Sequence, residues 1–221
     1  MHALMVALVL SAEPKAGTYI FEGGAGTLVL AKGTFTIDVV GANAHTCNVS
    51  GAWKGTTGLA NDEGEKCELA FAGKDGEVSV TSTGDACRTY CGARASFDGR
   101  YLTPPKGCTG AEVKKTRAAF KTAYDKKQYP EAIALLKPLL ETCVPVLDRF
   151  DVMWIRNDLA ITQHKAGDDA ACLATLEPLA EYRDAPPGEP IGYEPSFEDV
   201  FARIAKATRT NAKLCGFVAK K

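Results

Sequence analysis

The chain is poor in the groups that hydrolytic and metal-dependent chemistry draws on. It has three histidines, His2, His45 and His164, the first ahead of an apolar run and the other two in regions of different composition. A Ser-His-Asp or Cys-His arrangement needs its members within hydrogen-bond reach, and no G-x-S-x-G elbow supports one. No catalytic residue and no cofactor are therefore assigned, and an uncharacterised hydrolase ranks last among the readings. Charge of one sign is also lacking: 26 Lys and Arg face 27 Asp and Glu, for a formal net charge of −1, which gives no footprint for nucleic acid. Gly23-Gly24-Ala25-Gly26 is followed by no Lys-Ser/Thr and sits among strand-like segments, so it reads as a turn and not as a phosphate loop.

What the chain does have is sulfur. Eight cysteines in 221 residues are unusual for a reducing cytosol, and export is the simpler explanation. Ala3 to Leu10 is an apolar run too short to span a bilayer, and Ser11-Ala12 offers small residues for cleavage, so residues 1–16 are expected to form a signal peptide. No Lys or Arg precedes that run, and the alternative is a buried first strand. No other segment is apolar enough to cross a membrane, and no cysteine sits where a lipoprotein anchor would. A soluble periplasmic or secreted protein is expected. Zinc is the other use of clustered cysteine, but Cys87, Cys91 and Cys108 lack a second short-spaced pair; disulfides are favoured and no metal is assigned.

Two domains are expected, because Gly, Thr and Cys crowd the first half and Ala, Leu and Lys the second. From residue 17 to 109 the pattern alternates with a period of two, as in Thr34 to Val39, Glu68 to Phe71 and Glu77 to Thr81. Turns fall at Gly23-Gly24, Lys32-Gly33, Asn61 to Gly64 and Asp75-Gly76, which predicts an antiparallel meander or small barrel. Cys47 and Cys67 flank the Gly55 to Glu65 connection, and a hairpin there predicts a bridge between them. Cys87 and Cys91 cannot pair across an extended strand, where four residues cover roughly 13 Å; either that stretch is coiled or each pairs elsewhere, with Cys108 the nearest partner for one. Five cysteines in this half leave Cys143, Cys172 and Cys215 in the other, so full pairing requires a bridge between the halves.

From residue 110 to 221 the period becomes helical. Gly110 to Lys127 and Glu131 to Thr142 are hinged at Gln128-Tyr129-Pro130, with the proline in a first turn where its missing N–H costs little. Phe150 to Lys165 and Asp168 to Tyr182 are hinged at Ala166-Gly167. The pairs are related by forty residues: Leu135-Leu136-Lys137-Pro138-Leu139 returns as Thr175-Leu176-Glu177-Pro178-Leu179, and Ala132 as Cys172. Lys127-Gln128-Tyr129-Pro130-Glu131-Ala132-Ile133 and Ala166-Gly167-Asp168-Asp169 resemble the turns of tetratricopeptide repeats, although the spacing exceeds that family's usual 34 or so. The resemblance implies a helical array of two pairs, capped by Phe197 to Leu214, with Lys121, Tyr124, Arg156, Asn157 and Gln163 on or near the inner helices as groove candidates. The Pro- and Gly-rich stretch Asp184 to Pro195 is a loop and a possible contact surface.

The most distinctive stretch runs from Tyr90 to Tyr101. Its glycines and cysteine fix the backbone while Arg94, Ser96, Asp98, Arg100 and Tyr101 supply donors and acceptors, the makings of a rigid recognition loop. The competing reading is a last strand with Phe97 and Tyr101 in the core. Cys91-Gly92-Ala93-Arg94-Ala95-Ser96-Phe97-Asp98-Gly99-Arg100-Tyr101 resembles bacterial periplasmic lysozyme inhibitors and related immunity proteins. That resemblance implies a loop entering the cleft of a cell-envelope hydrolase or toxin, with Arg94 or Arg100 forking onto a carboxylate. Two protein-binding readings follow: an inhibitor or immunity factor acting through the β domain, and a periplasmic scaffold holding a peptide in the helical groove.

Overall fold

The computed structural model describes residues 12–41, 43–62, 64–186 and 195–218. The apolar run assigned to a leader and most of the Asp184 to Pro195 loop lie outside the described residues. The chain divides into two compact units, one carrying the strands through Thr103 and one carrying the helices from Pro104.

The first unit is a closed antiparallel barrel of eight strands in sequence order: β1 (Gly17–Phe21), β2 (Gly26–Ala31), β3 (Thr34–Val40), β4 (Thr46–Lys54), β5 (Thr57–Asp62), β6 (Glu65–Lys74), β7 (Glu77–Thr83) and β8 (Gly99–Leu102). Alternation decides which side chains point in. Phe35, Ile37 and Val39 of β3, Leu28 and Leu30 of β2, Leu69 and Phe71 of β6, and Val78 and Val80 of β7 are buried, filling the interior with apolar side chains. Two of the expected turns, Lys32-Gly33 and Asp75-Gly76, have φ values of 48° and 80°, and of 46° and 85°. Positive φ at both central residues suits the right-handed twist of a two-residue hairpin. β8 closes the barrel on β1, pairing Tyr101 with Phe21 and Leu102 with Ile20. Upstream of β1, Gly73 donates its N–H to Ala12 and Pro14 is buried, so Ala12 to Ala16 lie along the barrel.

All eight cysteines are paired, but not in the expected way. Cys47 joins Cys91, and Cys67 joins Cys87. The Gly55 to Glu65 connection contains β5, which pairs with β4 on one side and β6 on the other, so Cys47 and Cys67 lie on strands that are not neighbours. The Cys87 to Cys91 stretch is indeed coiled, a tight helical turn over Asp85–Tyr90. Cys108 belongs to the helical unit and joins Cys143, while Cys172 joins Cys215. With Cys108 counted there, each unit has four cysteines, and no bridge between them is required.

The helical unit holds six α-helices among the described residues: α1 (Gly110–Asp125), α2 (Tyr129–Pro138), α3 (Arg149–Lys165), α4 (Asp169–Leu176), α5 (Ala180–Asp184) and α6 (Glu198–Leu214). Thr109 opens α1 with a capping box: its hydroxyl takes the Glu112 N–H while the Glu112 carboxylate takes the Thr109 N–H. The forty-residue relation persists in three dimensions. Gln128 donates to the Ala123 carbonyl and Asp168 to that of Gln163, both at 2.9 Å, and Lys127 and Gly167 donate to Tyr124 and His164, a helix stop of the Schellman kind made twice. Ala132, Leu136 and Leu139 are buried, as are Cys172, Leu176 and Leu179. Pro138 and Pro178 interrupt the second helix of each pair because neither can donate to the preceding turn; α2 ends at Pro138 and α4 just before Glu177-Pro178. α6 buries Phe201 and Ile204, with Phe197 and Val200 packed against the same core.

Candidate partner-binding site

Between β7 and β8 the chain leaves the barrel wall and returns through Asp85 to Asp98. This excursion lines a cleft of about 720 Å³ whose polar side chains include Ser82, Asp85, Arg88, Arg94, Ser96 and Asp98. Both ends of the 91–98 loop are fastened. At one end Cys91 is bonded to Cys47 of β4 and Gly92 donates its N–H to the Thr46 carbonyl. At the other, Phe97 is buried, and both Asp98 carboxylate oxygens are taken by Ser82, from its N–H at 2.9 Å and its hydroxyl at 3.0 Å. Ser96 accepts the Asp98 N–H at 3.1 Å, tightening the same corner.

Arg94 stands between these anchors. Its residue lies in the turn closed by Ala95 N–H to Gly92 carbonyl, with φ at 66°, a conformation that costs a non-glycine residue about 1 kcal/mol. Its side chain is exposed and has no hydrogen-bond or ion-pair partner among the described residues. The neighbouring Arg88 meets Asp85 at 3.6 Å, but both side chains are almost fully in water, where such a pair contributes little.

The other loop candidates have structural tasks. Asp98 and Ser96 hold the corner. Arg100 pairs with Glu77 of β7 at 2.7 Å. Tyr101, an exposed donor on one reading and a core residue of a last strand on the other, follows the second: it is buried beneath Phe21 at a ring separation of 5.0 Å, and its hydroxyl donates to the Phe97 carbonyl at 2.7 Å. The inward register of β8 places it there, and burial pushes its phenol pKa upward, with the nearby Asp98 charge adding to the rise.

No family model, curated protein or solved structure matches the chain.

The helical candidates divide three ways. Lys121 and Tyr124 line one groove of about 540 Å³ between α1 and α3, with Arg117, Asp125, Asp158 and Ile161. Lys121 is held by Asp125 at 2.8 Å, and Arg117 by Asp151 at 2.8 Å and Asp158 at 3.6 Å. Burial raises the Asp158 carboxyl above its ordinary range, against the pull of Arg117. Arg156 and Gln163 instead meet at Thr175 of α4, the first through its carbonyl and the second through its hydroxyl. Asn157 is no groove residue. It is buried, donates to Met153 and Thr208, and receives the Asn211 amide of α6. α3 is packed on several sides, so its polar face at Asn157 meets α6 and not solvent. Ser82 and Arg117 escaped the sequence reading because each acts through partners 16 and 34 or more residues away, which no local pattern marks.

Proposed function

We propose that the protein is an exported binding protein of inhibitor or immunity type, whose barrel presents Arg94 to the acidic cleft of a cell-envelope hydrolase or toxin. One observation carries the reading: a guanidinium with no internal partner among the described residues, on strained backbone, in a loop fastened at both ends. A pre-ordered loop loses little entropy on binding, and a guanidinium can fork onto a carboxylate. Full pairing of the cysteines supports a non-reducing compartment, and no helix among the described residues is long and apolar enough to cross a membrane. The test is inhibition of a muramidase, and of the hydrolase activity in a cell-envelope extract, by the oxidised protein. Arg94→Ala should weaken inhibition at least about 100-fold, the scale of a buried charge pair losing one partner, while Arg88→Ala changes it only a few-fold. Equal potency of Arg94→Ala and wild type, or no inhibition by either, rejects the reading.

A second reading is a tetratricopeptide-type scaffold that holds a peptide in the α1–α3 groove. Its support is the helix stop repeated at a forty-residue interval and the groove lined by the first helix of each pair. Tyr124→Ala, which removes a half-buried ring lining the groove, would lower partner binding under this reading and leave it unchanged under the first.

A further inference from the structure

Three helices of the second unit bring three kinds of metal-ligating atom together. His164 ends α3, Asp169 begins α4, and Cys215 follows α6; one ligand atom from each lies within 4.8 Å of the others. The turn at Gly167 brings His164 and Asp169 into a 2.6 Å contact, and the bridge to Cys172 on α4 draws the Cys215 sulfur alongside. The side chains differ in access: His164 is about three-quarters covered and Asp169 about half, with both cysteines buried.

We propose that reduction of Cys172–Cys215 converts this cluster into a zinc site with Cys172, Cys215, His164 and Asp169 as ligands. In the oxidised form the sulfurs carry no charge and only a histidine and a carboxylate remain, too few for a structural zinc. A dithiol reductant supplies two electrons and two protons to the S–S bond, leaving two thiols and its own disulfide. Zinc then displaces one proton from each thiol. The geometry favours the exchange. Sulfurs held at about 2.05 Å in a bridge relax toward roughly 3.7 Å when the bond breaks, which is the separation of two thiolates on a tetrahedral zinc with Zn–S near 2.3 Å. His164 and Asp169, 2.6 Å apart, need to open slightly and to close on the Cys215 sulfur from within 4.8 Å, shifts of about 1 Å that side-chain rotation can supply. The site is independent of the barrel loop and makes the helical unit a redox-gated metal binder.

Cys172→Ser tests the His164, Asp169 and Cys215 part of the site without any reductant, since it frees Cys215 while the other three bridges stay closed and leaves the fourth position to the serine hydroxyl or water. Cobalt(II) is the probe. The variant should take up one Co²⁺ per chain with thiolate-to-cobalt charge-transfer absorption and the visible bands of a tetrahedral ion, and oxidised wild type should show neither. Adding His164→Ala should weaken uptake at least about tenfold. Cobalt bound equally well without His164, or bound neither by the folded variant nor by dithiol-treated wild type, overturns the proposal. If that variant does not fold, the wild type treated with a dithiol answers instead: one equivalent of Zn²⁺ should protect Cys172 and Cys215 from alkylation, and alkylation unaffected by zinc overturns the proposal.

Discussion

In the barrel, Cys47–Cys91 and Cys67–Cys87 each join a strand to the same excursion of chain, whereas in the helical unit Cys108–Cys143 and Cys172–Cys215 each tie a segment near one end of a helix to another helical element. The barrel wall needs neither of its bridges, because β1 and β8 already close it by hydrogen bonds. Its sulfur holds the loop that displays Arg94. The helical bridges hold the array itself. Removing Cys47–Cys91 as Cys47→Ser/Cys91→Ser and Cys108–Cys143 as Cys108→Ser/Cys143→Ser should each cost about 4 kcal/mol in chemical denaturation, since their spans of 44 and 35 residues are similar. The two variants should part under trypsin. The Arg94–Ala95 bond should be cut first when Cys91 is released, and should resist as in wild type when Cys108 is released. Equal protection in both variants would erase the distinction.

The interiors differ as well. The barrel is filled with hydrocarbon and aromatic rings, while the helical core contains a polar knot in which Asn157, Thr208 and Asn211 satisfy one another at 3.0–3.1 Å. Asn157→Ala leaves the buried Asn211 amide and the Thr208 hydroxyl short of partners, and should cost about 2 kcal/mol or more. In the barrel, Tyr101→Phe removes one hydroxyl from the Phe97 carbonyl and should cost about 1 kcal/mol. Denaturation midpoints for the two variants check the order, and a Tyr101→Phe loss equal to that of Asn157→Ala would mean the barrel core depends on its polar contact just as heavily.

Much of the barrel was legible because side chains alternate as burial does, clearly so in Thr34 to Val39 and Glu77 to Thr81. β5 was not, because its pattern is inverted. Gly58 and Ala60 point inward while Leu59 is 40 % exposed. Gly58 sits there because Phe35 and Phe71, 5.4 Å apart, already occupy the space a side chain would need. Missing that strand also misassigned the cysteines, since the Cys47–Cys67 pairing assumed one hairpin where two exist. At the candidate site, Arg94, Ser96 and Asp98 were legible from the Gly- and Cys-bounded loop. The division of labour among them was not. That Asp98 is consumed by Ser82 and Arg100 by Glu77 depends on the register of β7 against β8, a long-range pairing with no local mark.

The smallest contrast lies inside the helical unit, between two copies of one turn. Gly167 has φ at 86° and Lys127, forty residues earlier, has φ at 62°. Both donate the same helix-stopping hydrogen bond at 2.9 Å. The left-handed conformation costs a side chain about 1 kcal/mol and glycine nothing, so Gly167→Ala should destabilise by about 1 kcal/mol. Lys127→Gly removes that strain but gives the unfolded chain more freedom, a loss of about 0.4–1 kcal/mol, and the net gain should be only a few tenths. Thermal denaturation of the two single variants checks both signs. If Lys127→Gly instead lowers stability by more than about 0.5 kcal/mol, the lysine side chain contributes a contact that the glycine copy lacks, and the two turns are equivalent in backbone alone.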